Sequence, residues 1–335
     1  MEIGFLLTHL EIEACEAMRA IIIGLGQIGV GYDIGNAKSV MVATHARAIN
    51  ENSDIELVGG VDKIAENRLR FSEQYNKPAF KDIKEASGNL KAELIVIATP
   101  TCEHYNNIIE VILCMNPLVV VCEKPLAFSR QEAGEIVKAC KESGTLLFVN
   151  YMRVSLPCVA EIERIFIKPS MRCANEIRGI AWYSGGLYNN GSHLINLLEN
   201  WFGRVKGESR RLSTVKHLDR DVSVDLRLVF ENASVYLLSD KMSYSTNSIE
   251  LLSSLGELRY KDGGRYITIS GCEQSREFKG YTYLSTDVKE IKSYFMHYQS
   301  WFYDALVKKV KGHEAKICSG EQALMTLCTI EKLTM

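Results

Sequence analysis

The chain has no charge excess of either sign. Its 335 residues carry 39 Lys and Arg against 41 Asp and Glu, a formal net charge of −2. Without a broad field, neither nucleic acid nor an anionic membrane is an expected partner, and ligands must be recognised locally. No apolar run reaches the roughly 18 residues needed to cross a bilayer. No CxxC pair occurs and no Cys or His pair stands at metal-ligand spacing, so no metal site is expected. Ten cysteines are present, but Cys102, Cys114, Cys122, Cys140, Cys158, Cys173, Cys272, Cys318 and Cys328 are scattered, several within apolar runs. That is the pattern of reduced thiols, and it implies a cytoplasmic protein. Residues 1–17 lack the basic start and small-residue cleavage site of a signal peptide. They read either as lying ahead of a true start at Met18 or as a short surface helix.

What is present is enough for two ordinary domains, with 47% hydrophobic and 24% charged residues. From Arg19 to about Val149, short apolar runs alternate with amphipathic segments, which predicts a parallel α/β sheet. The expected strands are Ala20–Ile23, Ile55–Val61, Leu94–Ala98, Leu118–Cys122 and Leu146–Val149, each without alternation, as burial on both faces demands. Ile108, Ile109, Ile112 and Leu113 predict one crossover helix; Ala133, Ile136, Val137 and Cys140 predict another. After Asn150 the period changes. Val222, Val224, Leu226 and Leu228 alternate with polar residues, and further strands are expected at Ala233–Leu238, Ile249–Leu252, Leu255–Tyr260 and Tyr266–Ile269. A long helix through Ile291, Phe295, Tyr298, Phe302, Leu306 and Val310 follows, then a last helix capped by Ser319 with Glu321 or Gln322. The fold class is therefore α/β: a Rossmann domain over 18–149, then a substrate-binding and oligomerisation domain over 150–335. The second domain is expected to carry an open, mostly antiparallel sheet with helices on one face.

The residues that carry chemistry start at Gly24-Leu25-Gly26-Gln27-Ile28-Gly29, a GxGxxG turn placed directly after a strand and before a helix-like stretch. Gly24 permits the turn, Gly26 lets a pyrophosphate reach the backbone, and Gly29 lets helix and strand pack closely. Asp62 ends the second strand, where an acid accepts hydrogen bonds from an adenine ribose. It lies 38 residues beyond Gly24, further than the roughly 20 of a minimal unit, and the excess falls in an insertion over Gly31–Val42. An acid there favours NAD over NADP, although Lys63 beside it weakens the preference. Lys124, in Glu123-Lys124-Pro125 at the end of the fourth strand, can stabilise an alkoxide as hydride leaves; alone it reads equally as a solvated lysine before a turn proline. His193 stands in a glycine-rich turn that enters a helix, with Asn196 and Asn200 on its polar face. It reads as a proton acceptor or as a capped structural histidine.

Taken in order, these motifs resemble the glucose–fructose oxidoreductase, inositol dehydrogenase and MocA (Gfo/Idh/MocA) family. The likeness runs from about Arg19 to Leu333. It includes His45-Ala46-Arg47-Ala48-Ile49, Ala98-Thr99-Pro100-Thr101 with His104, Asn150-Tyr151-Met152-Arg153, Gly191-Ser192-His193 and Ser319-Gly320-Glu321-Gln322-Ala323. The resemblance implies hydride exchange between NAD, with NADP as the alternative, and a secondary alcohol of a sugar, nucleotide sugar or cyclitol. It implies that Lys124 and His193 are catalytic, that Ala98, Thr99, Pro100 and His104 line the cofactor path, and that Glu123 lies beside the nicotinamide. It also implies a homodimer or homotetramer. Arg153 and Tyr188 are expected substrate contacts. Two departures stand at Asn189 and Asn196, where many members carry aspartate; asparagine orients but takes no proton. They lean toward a nucleotide-activated or otherwise modified sugar. The rival readings are a cofactor-binding regulator without catalysis and a reductase of a non-sugar carbonyl.

Overall fold

The computed structural model describes residues 17–35, 39–173, 176–218, 221–240 and 244–334. Residues 1–16, on which the alternative start turns, lie outside them. Six parallel strands form the first sheet: β1 (Met18–Ile23), β2 (Ile55–Val61), β3 (Ala79–Phe80), β4 (Leu94–Ile97), β5 (Val119–Cys122) and β6 (Leu146–Val149). Their order, β3-β2-β1-β4-β5-β6, is that of a Rossmann domain, with its crevice between β1 and β4. Each strand feeds two cores at once, which is why alternation is missing from its sequence. Ala20, Ile22, Leu94, Val96, Val119 and Val121 enter one cluster, and Ile21, Ile23, Ile95, Ile97, Val120 and Cys122 enter the other.

The helices on this sheet are α1 (His45–Asn50), α2 (Ala65–Tyr75), α3 (Ile83–Asn89), α4 (Thr101–Met115) and α5 (Arg130–Ser143). In α5 the expected face is buried through Ala133, Ile136 and Cys140. In α4 the helix is rotated from expectation. His104, Ile108 and Val111 face inward at i, i+4 and i+7, and Leu113 is exposed.

The glycine turn does not lead into a continuous helix as the sequence pattern suggested. One turn forms, with Val30 N–H donating to the Gly26 carbonyl at 2.9 Å, and the chain then leaves the axis. It returns at α1, where His45 N–H donates to Ile28 O (3.1 Å) and Ala46 N–H to Gly29 O (3.0 Å). Residues 30–44 are thus spliced into the dinucleotide helix, and removing them shortens the Gly24 to Asp62 spacing from 38 to 23. Buried Asp33 pins the excursion by accepting from Thr44 N (2.8 Å), Thr44 Oγ1 (2.7 Å) and Ala43 N (3.1 Å). Arg47 donates to Met41 O and Ser39 O.

The second half opens on α6 (Pro157–Ile162) and α7 (Lys168–Met171), joined by a π-helical turn. An eight-stranded sheet follows, built from β7 (Ile177–Tyr183), β8 (Arg210–Arg211), β11 (Leu226–Val229), β12 (Ala233–Ser239), β13 (Asn247–Ser253), β14 (Gly256–Lys261), β15 (Tyr266–Gln274) and β16 (Thr282–Glu290). The remaining β9 (Lys216–Leu218) and β10 (Asp221–Ser223) pair separately. Pairing in the large sheet is antiparallel except for β7 with β12. The expected single strand over 222–228 is two, broken at Val224-Asp225. The sequence pattern also passed over β7 and β16. In β7, Ile180 and Trp182 are apolar yet lie on the exposed face, which hides the period; β16 is an edge strand exposed along nearly its whole length.

Three helices complete the molecule: α8 (Ser192–Phe202), α9 (Tyr298–Val310) and α10 (Gly320–Thr334). The long helix starts later than its apolar spacing implied. Tyr294 adopts φ 61°, so Ile291 precedes α9 outside any helix and Phe295 opens a single 3-10 turn (Phe295–His297) ahead of it, both packing in the core. The capping expectation at α10 holds reciprocally: Gln322 N–H donates to Ser319 Oγ (3.3 Å) and Ser319 N–H to Gln322 Oε1 (2.9 Å). Both α9 and α10 return to the first sheet, Phe302, Tyr303 and Leu306 on one face and Ala323 and Leu327 on the other. Among the described residues no helix is long and apolar enough to cross a membrane.

Candidate active site

At the C-terminal edge of the parallel sheet, Gly24 (φ +97°) brings the glycine turn against the loop after β4; a Cβ there would sit 2.6 Å from the Ala98 carbonyl. At Gly29 a Cβ would meet the Gly24 carbonyl oxygen at 2.1 Å. Both glycines are therefore fixed by the fold alone. Gly26 differs: a Cβ there meets nothing within 4 Å. Its backbone faces open space, as a pyrophosphate cradle requires. Asp62 closes this end, accepting from Leu25 N–H (2.9 Å), Ile64 N–H (2.8 Å) and Asn67 Nδ2 (3.0 Å). A cleft of about 340 Å³ is lined by Gly24, Gly26, Asp62, Ala98, Thr99 and Pro100, together with Lys63 and Lys81. The expected cofactor-binding backbone thus converges on one cleft. Gln27 and Ile28 belong to the same turn.

Two expected cofactor contacts are turned elsewhere. His104 is buried, its ring between the carbonyls of Pro125 (3.1 Å) and Leu126 (3.2 Å) on one nitrogen and Thr99 (2.9 Å) on the other. Burial lowers its pKa despite these acceptors, and it reaches the cleft only by fixing the Thr99 loop. Glu123 is 8% exposed. Its carboxylate accepts from His45 Nε2 (2.9 Å) and Asn150 Nδ2 (2.6 Å), and His45 Nδ1 lies 2.7 Å from the Tyr303 hydroxyl. Burial pushes the Glu123 pKa up, but His45, Asn150 and Lys124 together hold it below the usual carboxylate value.

The two halves of the chain meet at Lys124. Its ammonium donates to Asn189 Oδ1 at 2.7 Å and to the Asn189 carbonyl at 2.9 Å, leaving its third hydrogen for a ligand. Burial lowers its pKa, reinforced by Arg153 and opposed by Glu123 and Asp221. His193 stands four residues after Asn189, at the start of α8, edge-on to Tyr151 at 5.4 Å between ring centroids. Its Nδ1 is buried without a partner among the described residues. Burial, then Arg153 and Lys124, hold its pKa well below the ordinary value of 6.5, so the ring is neutral near pH 7. Arg153 lies 7% exposed beside them, its Nε donating to the Gly263 carbonyl at 3.3 Å.

Asn196 is not part of this group. Nearly all of α8 is buried, so its polar residues are not gathered on a solvated face but turn to separate surroundings. Asn196 Nδ2 donates to Thr326 Oγ1 (3.0 Å) on α10, and Asn200 Oδ1 accepts from Lys316. Deeper on α8, Glu199 accepts from the Thr326 and Thr329 hydroxyls (2.6 and 2.7 Å), and burial raises its pKa to about 7. A carboxyl whose folded pKa is raised stabilises most below the unfolded value near 4.3, and that stability is lost as pH rises through 7. Glu199→Gln is therefore expected to raise stability at pH 8 by up to about 3 kcal/mol, with no gain at pH 4.5. Urea titrations at the two pH values measure the difference.

Asp221, absent from the sequence reading, organises the turn before His193. It accepts from Tyr188 N–H and Asn189 N–H (both 2.9 Å), and its carboxylate fills the space a Cβ at Gly186 (φ +96°) would occupy. Tyr188 itself is half-buried, its ring packed between two cores. Asp221 lies some thirty residues from the turn it caps, so no local signal marked it.

The model for an oxidoreductase family with an NAD-binding Rossmann fold, Gfo/Idh/MocA, matches residues 18–151. A scyllo-inositol 2-dehydrogenase (NADP(+)) of Bacillus subtilis is 28% identical over 113 residues, 33% of this chain and 34% of that protein. A 2,7-anhydro-N-acetylneuraminate hydratase of Mediterraneibacter gnavus is 25% identical over 130 residues, 39% of this chain and 32% of that protein. The matched segment thus spans about a third of these curated relatives. The WlbA dehydrogenase of Bordetella pertussis, solved with NADH and UDP-GlcNAcA, superposes with a TM-score of 0.70 at 17% identity, over 95% of each chain. At that identity the likeness shows the fold.

Proposed function

Because residues 18–151 belong to the Gfo/Idh/MocA oxidoreductases with their NAD-binding Rossmann fold, we propose that the chain is an NAD-dependent dehydrogenase of a sugar-like secondary alcohol. The observation that carries the reading is the meeting of Lys124 with Asn189 beside His193, at the sheet edge where the glycine turn opens. NAD, when bound, supplies the hydride acceptor. Gly26 would offer its backbone to the pyrophosphate, Asp62 would accept from the adenine ribose, and Ala98, Thr99 and Pro100, which line the same cleft, would hold the path between. Glu123, locked from behind, sets the position of the Lys124 backbone through the shared turn.

In alcohol oxidation neutral His193 takes the hydroxyl proton, and Lys124 places its free N–H on the carbinol oxygen, where negative charge develops. Arg153 and Asn189 are assigned to the substrate, whereas the Tyr188 ring, packed between two cores, is assigned to holding the turn that carries Asn189. Asn189 holds the ammonium in place without neutralising it, so the site keeps more positive charge than an aspartate there would leave. Ile180, Trp182, Tyr236 and Leu252 stand exposed on the outer face of the large sheet, which supports assembly of two or four copies through that face.

The cofactor half is tested at Gly26. Gly26→Ala adds a methyl group to space that is empty in the protein, so its thermal midpoint is expected to stay within about 2 °C of the parent. Its affinity for NADH, read by fluorescence titration, is expected to fall tenfold or more. Unchanged NADH affinity would remove the cradle from this turn. NADH binding without turnover on sugars, sugar acids, cyclitols and nucleotide sugars would instead favour a regulator on the same fold.

A further inference from the structure

Arg153 brings a full positive charge into the interior with nothing to balance it. Its Nη1 is buried and has no partner among the described residues. No Asp or Glu among those residues forms an ion pair with it. Burial lowers its pKa, and the groups that oppose this are the phenols of Tyr260 and Tyr298. An unpaired buried guanidinium is costly, and proteins retain one where a ligand completes it. The position of this one is informative. It stands two residues after Tyr151, whose ring lies edge-on to His193 at 5.4 Å, and its charge acts on both Lys124 and His193, so it lies close to the reacting groups. His193 Nδ1 is a second buried polar atom there without a partner. At Asn189, which holds the Lys124 ammonium, the chain carries an amide and not a carboxylate. Two cations therefore share the substrate space, and one of them has no counter-ion.

We propose that the substrate carries a carboxylate, taken by Arg153, next to the carbinol on which Lys124 and His193 act; the class is a sugar acid, free or nucleotide-linked. The inference rests on the dehydrogenase reading for the identity of the reacting groups. A carboxylate fits better than a phosphate ester. Its single charge matches that of the guanidinium, and one of its oxygens can accept from Nη1 of a fork whose Nε is taken by Gly263, whereas a dianionic phosphoryl group needs more donors than Nη1 provides while the remaining Lys124 hydrogen serves the carbinol. Occupation of Arg153 also removes one of the charges that depress His193, so the bound substrate itself restores the basicity of its proton acceptor.

The experiment compares matched pairs with the NAD-loaded protein: D-glucuronate against D-glucose, D-galacturonate against D-galactose, and UDP-N-acetylglucosaminuronate against UDP-N-acetylglucosamine. D-glucose 6-phosphate serves as the phosphate arm. The acid of at least one pair is expected to show kcat/KM about a hundredfold above its neutral partner. Arg153→Met is expected to abolish that preference while leaving NADH affinity unchanged. The Gly263 carbonyl keeps the Tyr260 hydroxyl at 2.8 Å, so the ligand-free variant is expected to melt no lower than the parent. Arg153→Lys, which keeps the charge and loses the fork, is expected to recover a minor part of the preference. Equal or better use of neutral sugars, a preference for the phosphate ester, or an acid preference that survives Arg153→Met each overturns the inference while leaving a dehydrogenase. If no compound is turned over, thermal shifts of the NADH complex decide. Stabilisation by the acids that depends on Arg153 upholds Arg153 as a carboxylate site while the failed turnover counts against the dehydrogenase reading; no acid-selective stabilisation overturns the inference.

Discussion

Lys124→Ala is expected to lower kcat/KM for alcohol oxidation by about 10²- to 10³-fold, the usual cost of losing one donor to a developing oxyanion. NADH affinity and the thermal midpoint are expected to change little. The lysine is half-buried at the cleft, and its partners, Asn189 Oδ1 and the Asn189 carbonyl, can turn to water when it is removed. Arginine is not expected to rescue it, because a planar fork cannot stand where a compact ammonium sits between Asn189 and the carbinol oxygen. His193→Ala is expected to cost a similar factor through loss of the proton acceptor. The pH profile distinguishes this pair from merely structural residues. His193 is held well below 6.5, so the acid limb of kcat/KM falls below the ordinary histidine range and the rate is flat through neutrality. Lys124 is held below its usual 10.5 by burial, so the alkaline limb, where the ammonium loses its proton, begins earlier than for a free lysine. Lys124→Ala removes that alkaline limb. A variant with full turnover and an unaltered profile would remove Lys124 from the chemistry.

The sequence made the parallel sheet legible because burial on both faces leaves unbroken runs such as Ala20–Ile23 and Val119–Cys122. The GxGxxG turn and Asp62 were legible for the same local reason, with adjacent elements carrying the signal. The limits of that legibility are physical. Residues 30–44 leave and rejoin one helix axis through bonds to Ile28 and Gly29, a closure visible only when both ends are placed. Asn196 and His104 looked functional from spacing and from family resemblance, yet each is drawn to a distant partner: Thr326 in one case, the Pro125 and Leu126 carbonyls in the other. In β7 the apolar residues on the open face erase the period on which strand recognition depends. Asp221, Arg153's missing counter-ion and the His45–Glu123 pair are long-range facts, fixed by topology rather than by neighbours in the chain.

Removing the Glu123 carboxylate is expected to be the most destabilising single change near the site. Glu123 joins β5 to α1 through His45, to the end of β6 through Asn150, and through these to α9, since Asn150 Nδ2 also reaches Gln299 Oε1 (3.1 Å) and His45 pairs with Tyr303. In Glu123→Ala the His45 Nε2–H and one Asn150 N–H face a small buried space without an acceptor. Stranding such donors and breaking a buried pair costs about 3–5 kcal/mol, which lowers the thermal midpoint by on the order of 10 °C. Glu123→Gln is expected to cost less but not nothing, because both donors meet the same oxygen, Oε1, which an amide can supply, while its NH₂ would confront the Lys124 N–H that Oε2 accepts at 3.2 Å. The pH dependence follows from the lowered pKa of Glu123. Its contribution is present above the unfolded carboxyl value near 4.3 and is lost as pH falls through the lower folded value. The stability gap between parent and Glu123→Ala should accordingly hold from pH 8 to 5 and shrink below about pH 4. Denaturant titrations across that range measure it. A constant gap down to pH 2 would mean that packing, not the carboxylate, accounts for the loss. Because the network ties α9 to the sheet edge that carries Lys124, Glu123→Gln should also lower kcat at pH 7 while leaving the acid limb set by His193 in place.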